Sequence, residues 1–473
     1  MLTRKAWPMA LSVMFVGSVA VIVQGDDSIP SAQAPATPAE SPGKPAQTEA
    51  RKPIKPKELS DGVKKGLEYL AGQQHENGGF GQGGGWRLAG ENNGGRVEGK
   101  EIKDPPDVGN TCMAALALIR AGNTPKDGKY SKQLVKAIEF IETHVESADK
   151  DSLYVTPVRD TQLQSKIGRY VDTFLTALVL SELKGQMPDK NSEDRLFAAL
   201  NKTIGKIESN QQADGTFSGN AGWASVLSQG ICSKELSRAS QKGVAVKTET
   251  IKRDLDQTVA QLSPGKGTPT VGAGAATAGL AGPVGRSGAF AGGAAGGAAG
   301  GAAAGKGDAG VELYSLAANG SRVQDTVNAN QFRKRKAEAV VNSPTADDKT
   351  KDAARGELKE VAAAEQANGE ANKQLAANIG SAKFVRGFGN NGGEEFLSYM
   401  NISETLLVQG GEAWEKWDRQ ACETITKVQN EDGSWSGHHC ITGRTFCTSA
   451  ALLTMMADRA PLPEVADAKP VAK

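Results

Sequence analysis

The sequence predicts an all-α fold, an α/α toroid in which outer and inner helices alternate along the chain. One observation is a turn that occurs three times, with Gln, then Gly four positions later, then an aromatic residue. The segment before each turn is apolar on one face, whereas the segment after it is apolar nearly all round. One-sided helices cover a core and all-round apolar helices lie inside it, so two layers of helices are expected. The residues of the turns are Gln74, Gly78, Phe80, Gln211, Gly215, Phe217, Gln429, Gly433 and Trp435.

The predicted outer helices carry apolar residues three or four positions apart. These positions are Leu59, Val63, Leu67 and Leu70 before the first turn, Leu196, Leu200, Ile204 and Ile207 before the second, and Trp414, Trp417, Ala421, Ile425 and Val428 before the third. The predicted inner helices contain Thr or Cys, then three residues, then Ala-Leu, starting from Thr111, Thr173 and Cys447. With weaker repeats included, the pattern predicts about five helix pairs.

Each turn is expected to support the fold and to perform no chemistry. Asp-Gly or Asn-Gly supplies a backbone position with positive φ, and the Gln amide can bond to exposed groups at a helix end. The aromatic residue is expected to pack the turn against the neighbouring repeat.

These turns resemble those of the prenyltransferase and terpene-cyclase superfamily, which includes squalene-hopene cyclases and carries repeated Gln-x-x-x-Gly-x-Trp turns. The resemblance covers residues 59–238 and 383–460, and it is to an exported, bacterial-type member. It implies the toroidal fold and turns that brace the barrel. Because one fold supports many functions, the activity has to be argued from other residues.

The N-terminal residues predict export. Arg4 and Lys5 precede an apolar segment, residues 6–23, so residues 1–25 are predicted to be a signal peptide. The alternative is an uncleaved membrane anchor, because the segment is just long enough to cross a bilayer. Residues 26–58, rich in Pro and Ala, are predicted to be a disordered linker that leads to a periplasmic or extracellular domain.

The predicted toroid is interrupted by a long insertion. Residues 59–240 and 383–460 form its two parts, residues 461–473 are a tail, and residues 241–382 are the insertion. Within the insertion, residues 263–310 are dominated by Gly and Ala and are predicted to be disordered. In the segment after them, the first part is predicted to supply a missing outer helix and the rest to be a polar helix. Its basic run at residues 333–336 is interpreted as a solvated helix face, and no nucleic acid is expected as a partner.

The motifs that carry chemistry in the superfamily are missing. The Asp-x-Asp-Asp acid of class II terpene cyclases does not occur in this sequence. Protein prenyltransferases hold zinc with Asp-x-Cys and a later His, and the counterparts here are Glu395, Leu397 and Cys447. Since this replaces a Cys and a His, the resemblance does not carry the zinc site over, and no cofactor is predicted.

A rearranged metal site is one interpretation of four neighbouring residues that offer soft or borderline ligands. They are His438, His439, Cys440 and Cys447. Their spacing matches no standard zinc pattern, and in an exported protein Cys440 and Cys447 could instead form a disulfide. Because the chain has five cysteines, at least one stays unpaired or pairs between chains.

Single acids at or within the inner helices are the candidate catalytic residues. They are Asp107, Asp172, Glu395 and Glu404. An acid near a helix start is first of all a cap or a partner of the helix dipole. We nevertheless expect a ligand at the opening of the central cavity.

Two functions therefore compete. In the first, the toroid is a binding or scaffolding module of the cell envelope. In the second, it is a cyclase-, transferase- or lyase-like enzyme acting on a lipid, a polyprenyl compound or a polysaccharide in its cavity. The partners compatible with the sequence are a hydrophobic small molecule, a polysaccharide or a peptide, and a membrane only through an uncleaved N-terminal segment.

Overall fold

The computed structural model describes residues 54–87, 95–262, 311–388 and 391–463. The predicted signal peptide, most of the predicted linker, the Gly/Ala-rich segment 263–310 and most of the tail lie outside these residues. All described residues belong to one unit, Pro53–Lys473.

The described part is mostly helical, which confirms the all-α prediction. Its helices are α1 Asp61–Gln73, α2 Val108–Arg120, α3 Ser131–Ser147, α4 Gln162–Ile167, α5 Val171–Leu183, α6 Lys190–Asn210, α7 Val226–Gln241, α8 Thr248–Leu262, α9 Glu312–Val341, α10 Asp348–Asn378, α11 Ala382–Arg386, α12 Gly393–Gln409, α13 Gly411–Thr426 and α14 Arg444–Met455. Four short strands form two antiparallel pairs, β1 Phe80–Gly81 with β4 Pro106–Asp107 and β2 Gly85–Arg87 with β3 Gly95–Val97. None of the described helices combines the length and the apolar character needed to cross a membrane.

Six helices contact one another in a series that returns to its start. In this series α2 packs on α5, α5 on α7, α7 on α9, α9 on α12, α12 on α14, and α14 again on α2. Every residue of α5 and nearly every residue of α2, α12 and α14 is buried. These are the inner helices, and their burial follows from sequences that are apolar or small nearly all round.

The other long helices each contact at least one inner helix from outside the series. They are α1, α3, α6, α8, α10 and α13. Their sequences are more polar, as in α13, which buries only Trp414, Trp417, Ala421 and Ile425. Along the described chain the two kinds alternate six times, from the pair α1 and α2 to the pair α13 and α14.

Helix α9 differs from its expected place. The sequence predicts an outer helix here, but α9 contacts both α7 and α12, and its Leu313, Tyr314 and Ala318 belong to the main core. The apolar periodicity of α9 is obscured because the helix buries polar residues, which form hydrogen bonds and ion pairs inside the protein. Arg322, for example, is fully buried and is bonded to Ser233 and Asp254.

The three repeated turns have the same geometry. Gly78, Gly215 and Gly433 have φ of +88°, +80° and +88°, a conformation that favours glycine. A Cβ on any of them would collide with a backbone carbonyl of the next outer helix. The aromatic residues are buried at 0%, 5% and 0% exposure for Phe80, Phe217 and Trp435.

The glutamines of these turns join successive outer helices. The side-chain amide of Gln74 donates to the carbonyl of Gln133 in α3 at 2.8 Å, and that of Gln211 donates to Thr250 in α8 at 3.2 Å. The amide of Gln429 donates to Gly62 in α1 at 2.8 Å. The last turn therefore holds the first outer helix.

Candidate functional site

The segments that lead into the inner helices lie at one end of the structure. Contacts join them to one another: Tyr314 at the start of α9 bonds to Glu395 at the start of α12, and Glu394 bonds to the loop before α14. Contacts also join the later halves of the same helices, as between Arg120 and Glu182. We call the end where the inner helices begin the N-terminal rim.

A buried network of ion pairs lies between five inner helices, α2, α5, α7, α9 and α12. The guanidinium of Arg120 binds both carboxylate oxygens of Glu182, at 2.5 and 2.8 Å. Glu404 lies 3.3 Å from Arg120 and 2.6 Å from Lys234. The network also includes Asp325, 3.3 Å from Lys234, and Arg238, 3.6 Å from Glu182. Three cations thus face three acids.

Glu404, a predicted candidate catalytic residue, belongs to this network. Burial alone would raise its pKa, but the charges of Lys234 and Arg120 hold that pKa at about 2. The cavity beside Lys234, Asp325 and Glu404 measures about 20 Å³, room for a water molecule. At this level the described interior is therefore filled by charged side chains. Glu404 is enclosed by its ion-pair partners, which gives it a structural role.

Asp107 and Asp172 lie at the starts of neighbouring inner helices. The Asp107 carboxylate caps α2 by accepting from the backbone N–H of Asn110 at 2.8 Å, and burial raises its pKa to about 6. Asp172 accepts from the side-chain amide of Gln164. Burial and the charge of Asp107 raise the pKa of Asp172 to about 7. Asp107 thus caps a helix, whereas Asp172 bonds to a side chain, and burial raises the pKa of both.

Glu395 anchors the rim. Its Oε1 accepts from the Tyr314 hydroxyl at 2.6 Å and from the backbone N–H of Phe388 at 2.9 Å. Its Oε2 accepts from the backbone N–H of Gly392 at 2.9 Å and lies 3.6 Å from Nε2 of His439. These bonds give Glu395 a structural role. It ties α9 to α12 and fixes the segment before α12.

Glu394, which is not among the residues predicted from the sequence, has fewer partners than Glu395. Its side chain is fully buried, and its Oε2 accepts one bond, from the backbone N–H of Ile441 at 3.2 Å. Its Oε1 has no hydrogen-bond partner among the described residues. Burial raises the pKa of Glu394 to about 8. The sequence does show an acid next to Glu395. Two adjacent acids at a helix start cannot be distinguished, however, until the fold shows what each of them contacts.

The loop before α14 brings His439 and Cys440 to Glu394. One potential ligand atom from each of the three residues lies within 4.8 Å of the other two. His438 and Cys447, also predicted as candidates, are not in this group. The backbone N–H of His438 donates to the carbonyl of Asn391, and the buried thiol of Cys447 donates to the carbonyl of Ile441 at 3.5 Å. All five cysteines are free, so the alternative disulfide between Cys440 and Cys447 is not formed.

Aromatic rings lie on the rim beside this group. Trp223 is 42% exposed and Phe388 is 53% exposed. Their ring centroids are 5.9 Å apart in an edge-to-face arrangement, and Phe388 lies 5.1 Å from the ring of His439 in the same way. His438 follows at 6.2 Å from His439. We call these four rings the aromatic row.

The chain matches no protein-family model, no curated protein and no solved structure. Its site is therefore interpreted from the chemistry of its own residues. At the N-terminal rim these offer an exposed aromatic surface and, beneath it, a carboxyl, an imidazole and a thiol directed to one place. That combination suits ligand binding at the surface and metal coordination below it.

Proposed function

We propose that the chain is an exported α/α-toroid repeat protein that binds a polysaccharide of the cell envelope on its N-terminal rim. The toroid is supported by the contacts of the six inner helices, which return from α14 to α2. Export is supported by the apolar residues 6–23 after Arg4 and Lys5.

The filled interior favours the rim as the binding surface. Arg120, Glu182, Lys234 and Glu404 occupy the space between the inner helices, where a terpenoid or polyprenyl chain would need an apolar cavity. Displacing these groups would leave buried charges without partners, which costs several kcal/mol per ion. A ligand that stays outside this network meets no such cost.

The observation that carries the proposal is the exposed pair Trp223 and Phe388. Large aromatic rings are usually buried, and adjacent exposed ones mark interaction surfaces. Flat rings beside the polar groups of His438 and His439 suit sugar rings, which have an apolar face and hydroxyls at the edge. The open rim suits a polymer strand better than a small molecule that needs enclosure.

Binding of the full-length mature chain to purified envelope polysaccharides, measured by affinity electrophoresis, tests this function. Trp223→Ala and Phe388→Ala should each weaken binding by about tenfold, since an aromatic contact contributes about 0.5–1.5 kcal/mol beyond its area. Phe332→Ala is the matched control. Phe332 is 70% exposed but lies about 30 Å further along α9 from its start, and its loss should leave binding unchanged.

Equal effects of all three variants, or binding of peptides in preference to polysaccharides, would reject this ligand class.

The second candidate function, a cyclase-, transferase- or lyase-like enzyme, is favoured by one observation. The pKa of Asp172, about 7, lies where a carboxyl group can act as a general acid at neutral pH. Shortening of the polysaccharide during incubation, lost in Asp172→Asn, would favour the enzyme.

A further inference from the structure

Beside the aromatic row, the rim carries a second group of residues, of which only His439 also belongs to that row. We propose that Glu394, His439 and Cys440 form a binding site for a divalent transition metal ion, with Zn²⁺ as the ion that their chemistry suits best. One carboxylate oxygen, one imidazole nitrogen and one thiolate sulfur are ligands that zinc accepts together. Three protein ligands leave one position of a tetrahedral ion open.

The buried oxygen of Glu394 is an independent observation that points to a ligand. Its Oε1 is fully buried and has no hydrogen-bond partner among the described residues. A buried polar atom without a partner costs about 1–3 kcal/mol, so native structures rarely retain one without a reason. A cation held between Glu394, His439 and Cys440 would satisfy this oxygen.

The distances allow an ion after small side-chain movements. The three ligand atoms lie within 4.8 Å of one another. Bond lengths of about 2.0–2.3 Å place the ligand atoms of tetrahedral zinc about 3.3–3.6 Å apart. The group must therefore contract by about 1 Å. His439 and Cys440 are half-buried and lie on a loop, so a small movement of this loop can close the ligand atoms around an ion.

The loop is built to bring these residues against α12. A Cβ at Gly392 would lie 2.7 Å from the His439 ring, and one at Gly393 would lie 2.6 Å from Ile441, so both positions need glycine. Cys440 has φ of +53°, which is unusual for a residue with a side chain and recurs at functional sites. Glu395, fixed by Tyr314, lies 3.6 Å from Nε2 of His439 and is placed to orient its ring.

The same residues are poorly suited to nucleophilic catalysis by the thiol. Burial and the neighbouring Glu394 raise the pKa of Cys440 to about 12, whereas a nucleophilic cysteine needs a lowered pKa. A metal ion would form the thiolate directly. The ligand set also differs from the counterparts Glu395, Leu397 and Cys447 that the resemblance implies, since two of its members lie on the loop before α14 and the third is Glu394 of α12.

Zinc affinity of the full-length mature chain, reduced and then freed of metal by chelation, tests the site. Competition against a chelating dye should show one ion per chain. Glu394→Gln, His439→Ala and Cys440→Ser should each weaken affinity by more than about tenfold, the low end of the loss seen when even outer-shell partners are removed. The matched controls His144→Ala and Cys422→Ser, which lie on α3 and α13 away from the rim, should bind like the unchanged chain.

Cobalt(II) gives a second measurement that is independent of polysaccharide binding. A thiolate-to-cobalt charge-transfer band in the near ultraviolet should appear in the unchanged chain and in Cys422→Ser, and should be lost in Cys440→Ser. Circular dichroism shows whether each variant is folded. The site is rejected if the unchanged chain binds no zinc ion or if the control variants lose as much affinity as the three ligand variants. It is also rejected if the cobalt band survives in Cys440→Ser.

Discussion

Two buried glutamates on α12, about three helical turns apart, show how the two ends of the inner helices differ. Glu404 is surrounded by cations, and the pKa of its carboxyl is lowered to about 2. Glu394 accepts one backbone N–H, forms no ion pair among the described residues, and has its pKa raised by burial to about 8. Burial disfavours the charged form of both carboxyl groups. The cations around Glu404 therefore account for the opposite directions of the two pKa shifts.

The comparison separates a structural charge from one available to a ligand. Around Glu404 the acids and cations balance, and removing one leaves another buried and unpaired. At Glu394 an oxygen still lacks a partner. Incomplete satisfaction is common at functional sites, because a ligand completes it. The rim end of α12 is therefore the place where binding is expected.

The largest effect should come from Glu404→Gln. The substitution leaves Lys234 and Arg120 with a neutral partner in a dry environment and should reduce the free energy of unfolding by about 5 kcal/mol, the upper end for broken buried ion pairs. Glu394→Gln is the matched variant on the same helix. It removes no ion pair and should cost less than about 1 kcal/mol in metal-free protein. Urea unfolding of both variants measures the contrast, and equal losses would end the distinction between the two sites.

The next test asks whether the turns matter as much as the ion pairs. Trp435→Ala removes a fully buried ring and its bond from the indole N–H to the Ile425 carbonyl, at 2.8 Å, and should cost about 4 kcal/mol. Phe80→Ala and Phe217→Ala should behave similarly in their own turns. The exposed Trp223 is the control, and Trp223→Ala should leave stability unchanged. A melting temperature unaltered by Trp435→Ala would show that these turns do not brace the helices.

The smallest effect concerns Asp172, which resembles Glu394 in lacking a nearby cation within ion-pair distance in the described chain. The ordinary pKa of an aspartate is 3.8, and the folded value here is about 7. The folded state thus keeps a proton that the unfolded state releases, and stability falls as the pH rises from about 4 to about 7. Asp172→Asn removes this dependence.

The advantage of Asp172→Asn should therefore be absent near pH 4 and reach about 1–2 kcal/mol near pH 8, below the limit of about 4 kcal/mol for a shift of that size. Unfolding curves at several pH values measure it. A difference between the two proteins that does not change with pH would mean that Asp172 titrates normally in the folded state.

Local patterns explain which parts of the structure the sequence could predict. Local sequence is enough to predict the glycines of the turns and the apolar runs of α5, α12 and α14. A positive φ favours glycine, and burial on all sides favours apolar or small residues. Helix α9 could not be identified in this way. Its buried Arg322 and Ser321 look like surface residues, and only partners far along the chain, such as Asp254, explain them.

The candidate site was predictable in part for the same reason. His439 and Cys440 are residue types that attract attention on their own. Glu394 does not attract attention on its own. Its role depends on the hydrogen bond from Ile441 to one carboxylate oxygen and on the lack of a hydrogen-bond partner for the other among the described residues. The ion pairs of Arg120, Lys234 and Glu404 likewise join helices that are distant in sequence, and no local pattern predicts such pairs.

The bond from Gln429 to Gly62 has a consequence for how the protein is made. It links residues 367 positions apart, so it forms only after nearly the whole described chain has been synthesised. Folds dominated by such distant contacts have high contact order and fold slowly. Until α14 arrives, the apolar surface of α1 and α2 that it will cover stays open to aggregation. The packing of α1 and α2 is therefore completed only when α14, almost the last element of the described chain, is in place.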